Sequence, residues 1–311
     1  MGEYRHEPVL VREVLEALAV RPGGLWVDAT IGGGGHAAAV LAASAPDGRL
    51  IGCDWDPEAV AAARERLREF GERAEIHEGR YVDLPQWVAP GSATGVLADL
   101  GVSSWQLDAG DRGFSIRADA PLDMRFSRRG GRTAAEWLNQ ATVTEMETIL
   151  REWGGEPRAR QLARALDAAR RRAPLRTTGQ LAAVVEQVLP RRGARRHPAT
   201  RVFQALRIAV NDELAQVAAG LRVLWDLLAV GGRMVIVAYH SGEARLVKRF
   251  ARGLGRDYEV TGEVDRPEFR RPRPRRLRRV YPHAVRPSRA EARANPRSRS
   301  ALLYAFEKIG E

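Results

Sequence analysis

The sequence predicts an α/β fold, a doubly wound and mostly parallel sheet interrupted by an all-helical insert. Three observations predict it. Short apolar runs bounded by Gly, Asp or Pro alternate with helical stretches near both ends of the chain. A glycine-rich turn follows the first run, and the middle of the chain, from Trp105 to Thr200, carries helical patterns but no strand-like run. The 311 residues are enough for one large domain or two that share a core.

Taken in order, Leu25–Thr30, Leu50–Cys53, Ala74–His77 and Val96–Leu100 read as buried parallel strands. Between them, Gly35–Ala43 and Pro57–Phe70 read as helices. Pro57 suits a first helical turn, and Asp56 is placed to cap it. The middle reads as helices at Ala134–Gln140, Val143–Trp153, Arg158–Arg172 and Thr178–Leu189, the last with Leu181, Val184, Val185 and Val188 at helical spacing. The α/β pattern then resumes with a helix over Asp212–Ala229, ended by Gly231-Gly232, and a strand over Arg233–Tyr239. Glu259–Thr261 and Leu302–Phe306 are the remaining strand candidates. Asp265–Ser300 has little periodicity and is expected as an Arg-rich loop that a partner orders. The expected organisation is a core in two parts, 1–108 and 206–311, around a helical insert at 109–205, with the loop at 265–300.

Composition narrows the function classes. No apolar run is long enough for a transmembrane helix, and the mixed charges of Glu3, Arg5, His6 and Glu7 do not fit a signal peptide. Cys53 is the only cysteine, so there is no internal disulfide or Cys-rich metal site, and a reducing cytoplasmic compartment fits. None of the six histidines pairs at metal-ligand spacing, so no metal is assigned. The net charge of +11 is unevenly placed. Residues 1–103 hold 9 basic and 16 acidic groups, residues 104–200 hold 18 and 11, and residues 201–311 hold 23 and 12. An acidic small-ligand module joined to a polyanion-facing surface has this asymmetry. The stretch from Arg266 to Arg299 concentrates it, with 13 Arg against Asp265, Glu268 and Glu291 nearby. An Arg fork pairs with phosphate oxygens.

Three strand ends carry the chemistry. Val27-Asp28-Ala29-Thr30 leads into Gly32-Gly33-Gly34-Gly35-His36, a turn that brings backbone N–H groups and a helix N-terminus to a nucleotide-type ligand. Gly32, Gly34 and Ala37 also satisfy a loose G-x-G-x-x-G/A pattern, which leaves NAD open. The second strand ends at Asp54, where an acid accepts the ribose hydroxyls of an adenosine-bearing ligand. The fourth ends Ala98-Asp99-Leu100-Gly101. A carboxylate there can hold the N–H of an exocyclic amine and favour a more nucleophilic nitrogen, with Gly101 leaving room for a base. Tyr81 is placed to stack on adenine. Trp105 and Phe114 are placed to flank a splayed base, although core packing is the better reading of each taken singly.

With these motifs in hand, the sequence resembles, over nearly its full length, the ribosomal small-subunit methyltransferase H family, the bacterial 16S rRNA (cytosine-N4)-methyltransferases. The resemblance is carried by His6-Glu7-Pro8-Val9-Leu10, the Asp28–His36 loop, Leu97–Asp108, Arg112-Gly113-Phe114-Ser115 and Pro121-Leu122-Asp123-Met124-Arg125. His197-Pro198-Ala199-Thr200-Arg201, Arg207 to Leu214, His240-Ser241 and Asn295-Pro296-Arg297-Ser298-Arg299-Ser300 add to it. It implies an S-adenosylmethionine (SAM)-dependent methyltransferase core of Rossmann-like type. SAM contacts would fall on Gly34, Gly35, His36, Asp54, Tyr81, Asp99 and Gln106. Asp99 would be catalytic, with Ser103 and His240 as base-pocket contacts. The target would be the N4 amine of a cytosine in the decoding centre of 16S rRNA, within the small ribosomal subunit, in the cytoplasm and away from membranes. The oligomeric state stays open, a homodimer included.

Two motifs depart from the family. Its Phe-His-Ser-Leu-Glu-Asp-Arg stands here as Tyr239-His240-Ser241-Gly242-Glu243-Ala244-Arg245, and its Tyr-Gly-Glu-Glu as Trp153-Gly154-Gly155-Glu156. The first puts in doubt any essential role for the acid replaced by Ala244. Three rival readings remain: a DNA amino-methyltransferase, an NAD-dependent oxidoreductase on the same glycine turn, and a non-catalytic rRNA-binding assembly factor.

Overall fold

A computed structural model describes residues 8–101, 110–190 and 197–310. The chain divides into two compact units, one of residues 1–101 with 215–311 and one of residues 102–214.

The first unit is built on a seven-stranded sheet. Its strands are β1 (Leu25–Asp28), β2 (Arg49–Asp54), β3 (Ala74–Glu78), β4 (Ala93–Asp99), β5 (Leu228–Ala238), β8 (Leu277–Arg279) and β9 (Leu302–Lys308), in the order β3-β2-β1-β4-β5-β9-β8. The first five are parallel, and β9 runs antiparallel between β5 and β8. Alternate residues feed two cores. Trp26, Leu50, Leu97, Val235 and Leu303 pack with α1 (Val11–Leu18), α2 (Gly35–Ala43) and α3 (Pro57–Arg66). Val27, Ile51, Val96, Ile236 and Phe306 pack on the other face with α9 (Glu213–Leu227) and α10 (Ser241–Gly255). Both faces are covered, which is why the strands read as unbroken apolar runs. Asp56 caps α3 as expected, accepting the Glu58 N–H at 3.1 Å.

In the second unit, α4 (Ala134–Gln140), α5 (Val143–Glu152), α6 (Ala159–Arg172), α7 (Thr178–Val188) and α8 (Thr200–Asn211) enclose a core that includes Leu138, Met146, Leu162, Leu181 and Leu206. Thr133/Glu136, Thr142/Glu145 and Thr177/Gln180 form reciprocal capping boxes at three of the helix starts. The segment before α4 is tied down by polar contacts. Arg112 donates to the Arg125 and Phe126 carbonyls, and Asn211 accepts the Phe126 N–H and donates to the Met124 carbonyl.

Three expectations need correction. The insert does not end at 205. One continuous α8 places Val202 to Leu206 in the helical core and Asn211 on Met124, so the unit runs on to Leu214, just beyond Asp212 with its left-handed φ of 49°. The helix before β5 stops at Leu227, and Gly231-Gly232 lies inside β5 beside an irregularity in the β4 pairing. The stretch 265–300 is not one loop. It holds β7 (Arg270–Pro272), which pairs with β6 (Tyr258–Val260), then β8 and α11 (Arg289–Ala294). A three-residue strand turns too few side chains inward for alternation to be legible. β8 contributes one buried side chain, Leu277.

Candidate active site at the carboxyl edge of the parallel sheet

Sheet order reverses between β1 and β4, so the crevice beyond their carboxyl ends is where an open α/β sheet receives a ligand. The chain leaving β1 is stitched to both neighbours. Ala29 N–H donates to Leu97 O at 2.8 Å on the β4 side, and Ile31 N–H to Cys53 O at 3.0 Å on the β2 side. Ile31 lies over Gly52, where any Cβ would collide with its side chain. The glycine in β2 therefore lets the turn cross the sheet edge. Gly34 (φ 77°) then hands the chain to α2, where a Cβ would press on Ala63 and Leu67.

Three carboxylates surround this turn. Asp28, 2% exposed, accepts the Thr30 N–H at 3.1 Å. Burial above all pushes its carboxyl up to about 7, against the opposing pull of His36 and of that hydrogen bond. Asp54 ends β2 and is half-buried. Its Oδ2 accepts the Gly32 N–H at 3.0 Å and its Oδ1 the Asp56 N–H at 2.9 Å. Burial raises it to about 6, and these N–H groups hold it back from rising further. Asp99 ends β4, donates its own N–H to Thr30 Oγ1 at 2.7 Å, and accepts the Tyr239 hydroxyl on Oδ1 at 2.8 Å.

His36, 6% exposed in the first turn of α2, sets Nε2 3.6 Å from Asp99 Oδ2. Neither of its buried ring nitrogens makes a hydrogen bond among the described residues. Such nitrogens are costly unless a ligand or water completes them. A carboxylate offers about four lone-pair sites, and the two N–H groups on Asp54 leave room for ribose hydroxyls. The residues present therefore fit an adenosine-bearing, positively charged ligand such as SAM.

Gly34, Gly35, His36, Asp54 and Asp99 thus come together at one edge. Tyr81 begins a short turn, Tyr81–Gln86, two residues past Gly79, whose N–H donates to Asp54 O at 3.0 Å. Its ring lies against Gly220 of α9 and, with Ala98 and Leu100, lines a narrow apolar cavity. Gln106, Ser103 and Trp105 lie outside the described residues. His240 caps α10, its Nδ1 accepting the Gly242 and Glu243 N–H groups at 3.2 and 3.4 Å. Ala244 is buried in the apolar core of the α10 face. His197 closes a turn by accepting the Ala199 N–H at 3.1 Å and pairing with Glu186 at 2.9 Å.

Sequence reasoning assigned no role to Asp28, Thr30 or Tyr239. An acid at a strand end was visible, but its burial depends on neighbours far along the chain. Tyr239 meets Asp99 only because β4 and β5 are adjacent.

In the C-terminal segment, Tyr258 is flanked by the guanidinium groups of Arg256 and Arg270, 5.2 and 4.4 Å from its ring centre, and Asp265 binds both arginines. Arg275 pairs with Asp257 and Arg278 with Glu307. Other arginines of the tract, such as Arg266 and Arg271, are exposed.

Residues 3–309 match the MraW methylase family. Among curated proteins, the chain is similar to the ribosomal RNA small subunit methyltransferase H of Symbiobacterium thermophilum, 45% identical over 98% of this chain and 97% of that protein. The enzyme of the same name from Trichlorobacter lovleyi is 45% identical over the whole of both chains. That of Syntrophus aciditrophicus is 43% identical over 99% of each.

Proposed function

Because the chain belongs to the MraW methylase family, we infer that it is a SAM-dependent methyltransferase acting on the exocyclic N4 amine of a cytosine in the decoding centre of 16S rRNA. The geometric observation that carries the reading is a pair of carboxylates on opposite sides of one glycine turn. Asp54 is tied to the turn through Gly32, and Asp99 through Thr30. One suits a ribose and the other an amine.

SAM, when bound, supplies an electrophilic methyl group on a positively charged sulfur. Asp54 offers its remaining lone pairs to the ribose, and Gly34, Gly35, His36, Tyr81 and Gln106 complete the proposed SAM contacts. Asp99 accepts an N–H of the cytosine amine and turns the nitrogen lone pair outward, and it can receive the proton that the amine loses. Ser103 and His240 are proposed base-pocket contacts. Catalysis of this kind comes mainly from orientation, since little beyond alignment is asked of the protein. Cys53 takes no part as a nucleophile, because burial raises its thiol well above its ordinary value and keeps it protonated.

The substrate is rRNA. We propose that it is met within the small ribosomal subunit, in the cytoplasm, with the exposed arginines of 265–300 on its phosphates and the target base splayed from its stack. No helix among the described residues is long and apolar enough to cross a membrane.

The test is nucleotide-resolution mapping of methyl groups on 16S rRNA from cells with and without this protein, paired with tritiated-methyl transfer into assembled small subunits and into duplex DNA. Loss of one N4-methylcytosine in the decoding centre, with transfer into subunits alone, is the expected result. Labelling of duplex DNA overturns it. An Asp99→Ala variant that binds SAM and subunit yet methylates as fast as wild type removes Asp99 from the chemistry.

A further inference from the structure

We propose that Tyr239 is a positioning residue for methyl transfer. Its hydroxyl holds one oxygen of the Asp99 carboxylate and leaves the other to meet the substrate amine. The inference rests on the reading of Asp99 as the acceptor.

The geometry follows from the sheet. Asp99 pairs with Val237 across the parallel β4–β5 ladder, and Tyr239 stands two residues further on, on the same face. The phenol reaches back to donate to Asp99 Oδ1 at 2.8 Å. Its backbone is clamped from behind, because Tyr239 N–H donates at 2.7 Å to Oε2 of Glu243, which is 1% exposed and belongs to the capping box of α10. Beside the ring, Gly101 adopts φ 98°, and a Cβ there would come within 3.5 Å of Tyr239 Cδ2. The phenol is therefore held by its peptide group and by its hydroxyl.

Several ionisable groups face this pair. His36 of α2 lies on the Oδ2 side of Asp99, and Asp28 at the end of β1 shares its field. Asp54 of β2 acts on Asp28 in turn. Glu243 of α10 and Glu291 of α11 lie near the phenol. Burial first, then the Asp99 charge, pushes the Tyr239 hydroxyl well above its ordinary value, so it remains a donor throughout the working range. A hydrogen bond to the ionised form of a carboxylate favours that form.

The experiment compares Tyr239→Phe with wild type and with Asp99→Asn in methyl transfer to small subunits, with kcat and KM measured separately and SAM affinity measured by calorimetry. Without the donor the Asp99 carboxylate is free to turn, so kcat falls about tenfold while KM for subunits and SAM affinity change by no more than about threefold. An unchanged kcat, or a loss carried by KM and SAM affinity instead, overturns the positioning role. If Asp99→Asn retains wild-type activity, the underlying reading of Asp99 fails instead. The two failures are thus told apart.

Discussion

Replacing Asp28 with Asn asks whether a buried carboxyl beside the glycine turn keeps its proton in the folded protein. Its folded value of about 7 exceeds the ordinary 3.8. Between those values the folded state binds the proton and the unfolded state does not, so stability falls as pH rises from about 4 to about 7 and levels off above. A displacement of roughly three units corresponds to about 4 kcal/mol, an upper figure because relaxation and water entry reduce it; about 2–4 kcal/mol is expected. Asn preserves the shape and cannot ionise. The difference in stability between Asp28→Asn and wild type should therefore grow by that amount from pH 4 to pH 7 and then stay flat. Any constant offset from the new amide cancels in the slope, and other titrating groups cancel in the difference. The assay is urea denaturation of the full chain at half-unit pH steps, following the transition of the sheet-bearing unit. A difference independent of pH would show that Asp28 is ionised in the folded protein and would refute the reasoning.

Asp54→Ala should weaken SAM binding by about 10–100-fold in calorimetry, the worth of hydrogen bonds to a charged acceptor. In the wild type that affinity should decline as pH falls through about 6, where Asp54 protonates, and Asp54→Asn should abolish this dependence. Gly113→Ala should destabilise the helical unit by more than about 2 kcal/mol in urea melts. Its φ is 74°, and a Cβ would stand 2.5 Å from Pro121 O. Binding to small subunits should fall steeply between low and moderate salt while SAM binding changes little, and filter-binding titrations at several salt concentrations would reveal equal slopes if the arginines do not meet phosphate.

Much of the molecule was legible in one dimension. Gly35–Ala43 and Ala134–Gln140 begin and end where their composition places them, and the strand ends at Asp54 and Asp99 frame the site. Strong local signals account for this: glycine where the chain turns left-handed, Asp56 as a cap, and apolar runs just long enough to cross a sheet. The failures share a cause as well. β7 and β8 are three residues each, too short for a period to register. Gly231-Gly232 looks like a helix stop, yet it lies within β5, in the irregularity between the Leu228 and Arg233 pairings with β4.

The sequence by itself determined the class of fold, the two carboxylates that frame the glycine turn, and, through its ordered motifs, membership of a methyltransferase family. Those are properties of neighbours along the chain, where residue type and spacing are the physical cause. The tertiary structure decided which oxygen of Asp99 is already held, that Asp28 is buried enough to keep its proton near neutrality, and that both His36 ring nitrogens lack a hydrogen bond among the described residues. Each depends on desolvation and on hydrogen bonds between segments far apart in sequence. Those arise only when β1, β4 and β5 are laid side by side.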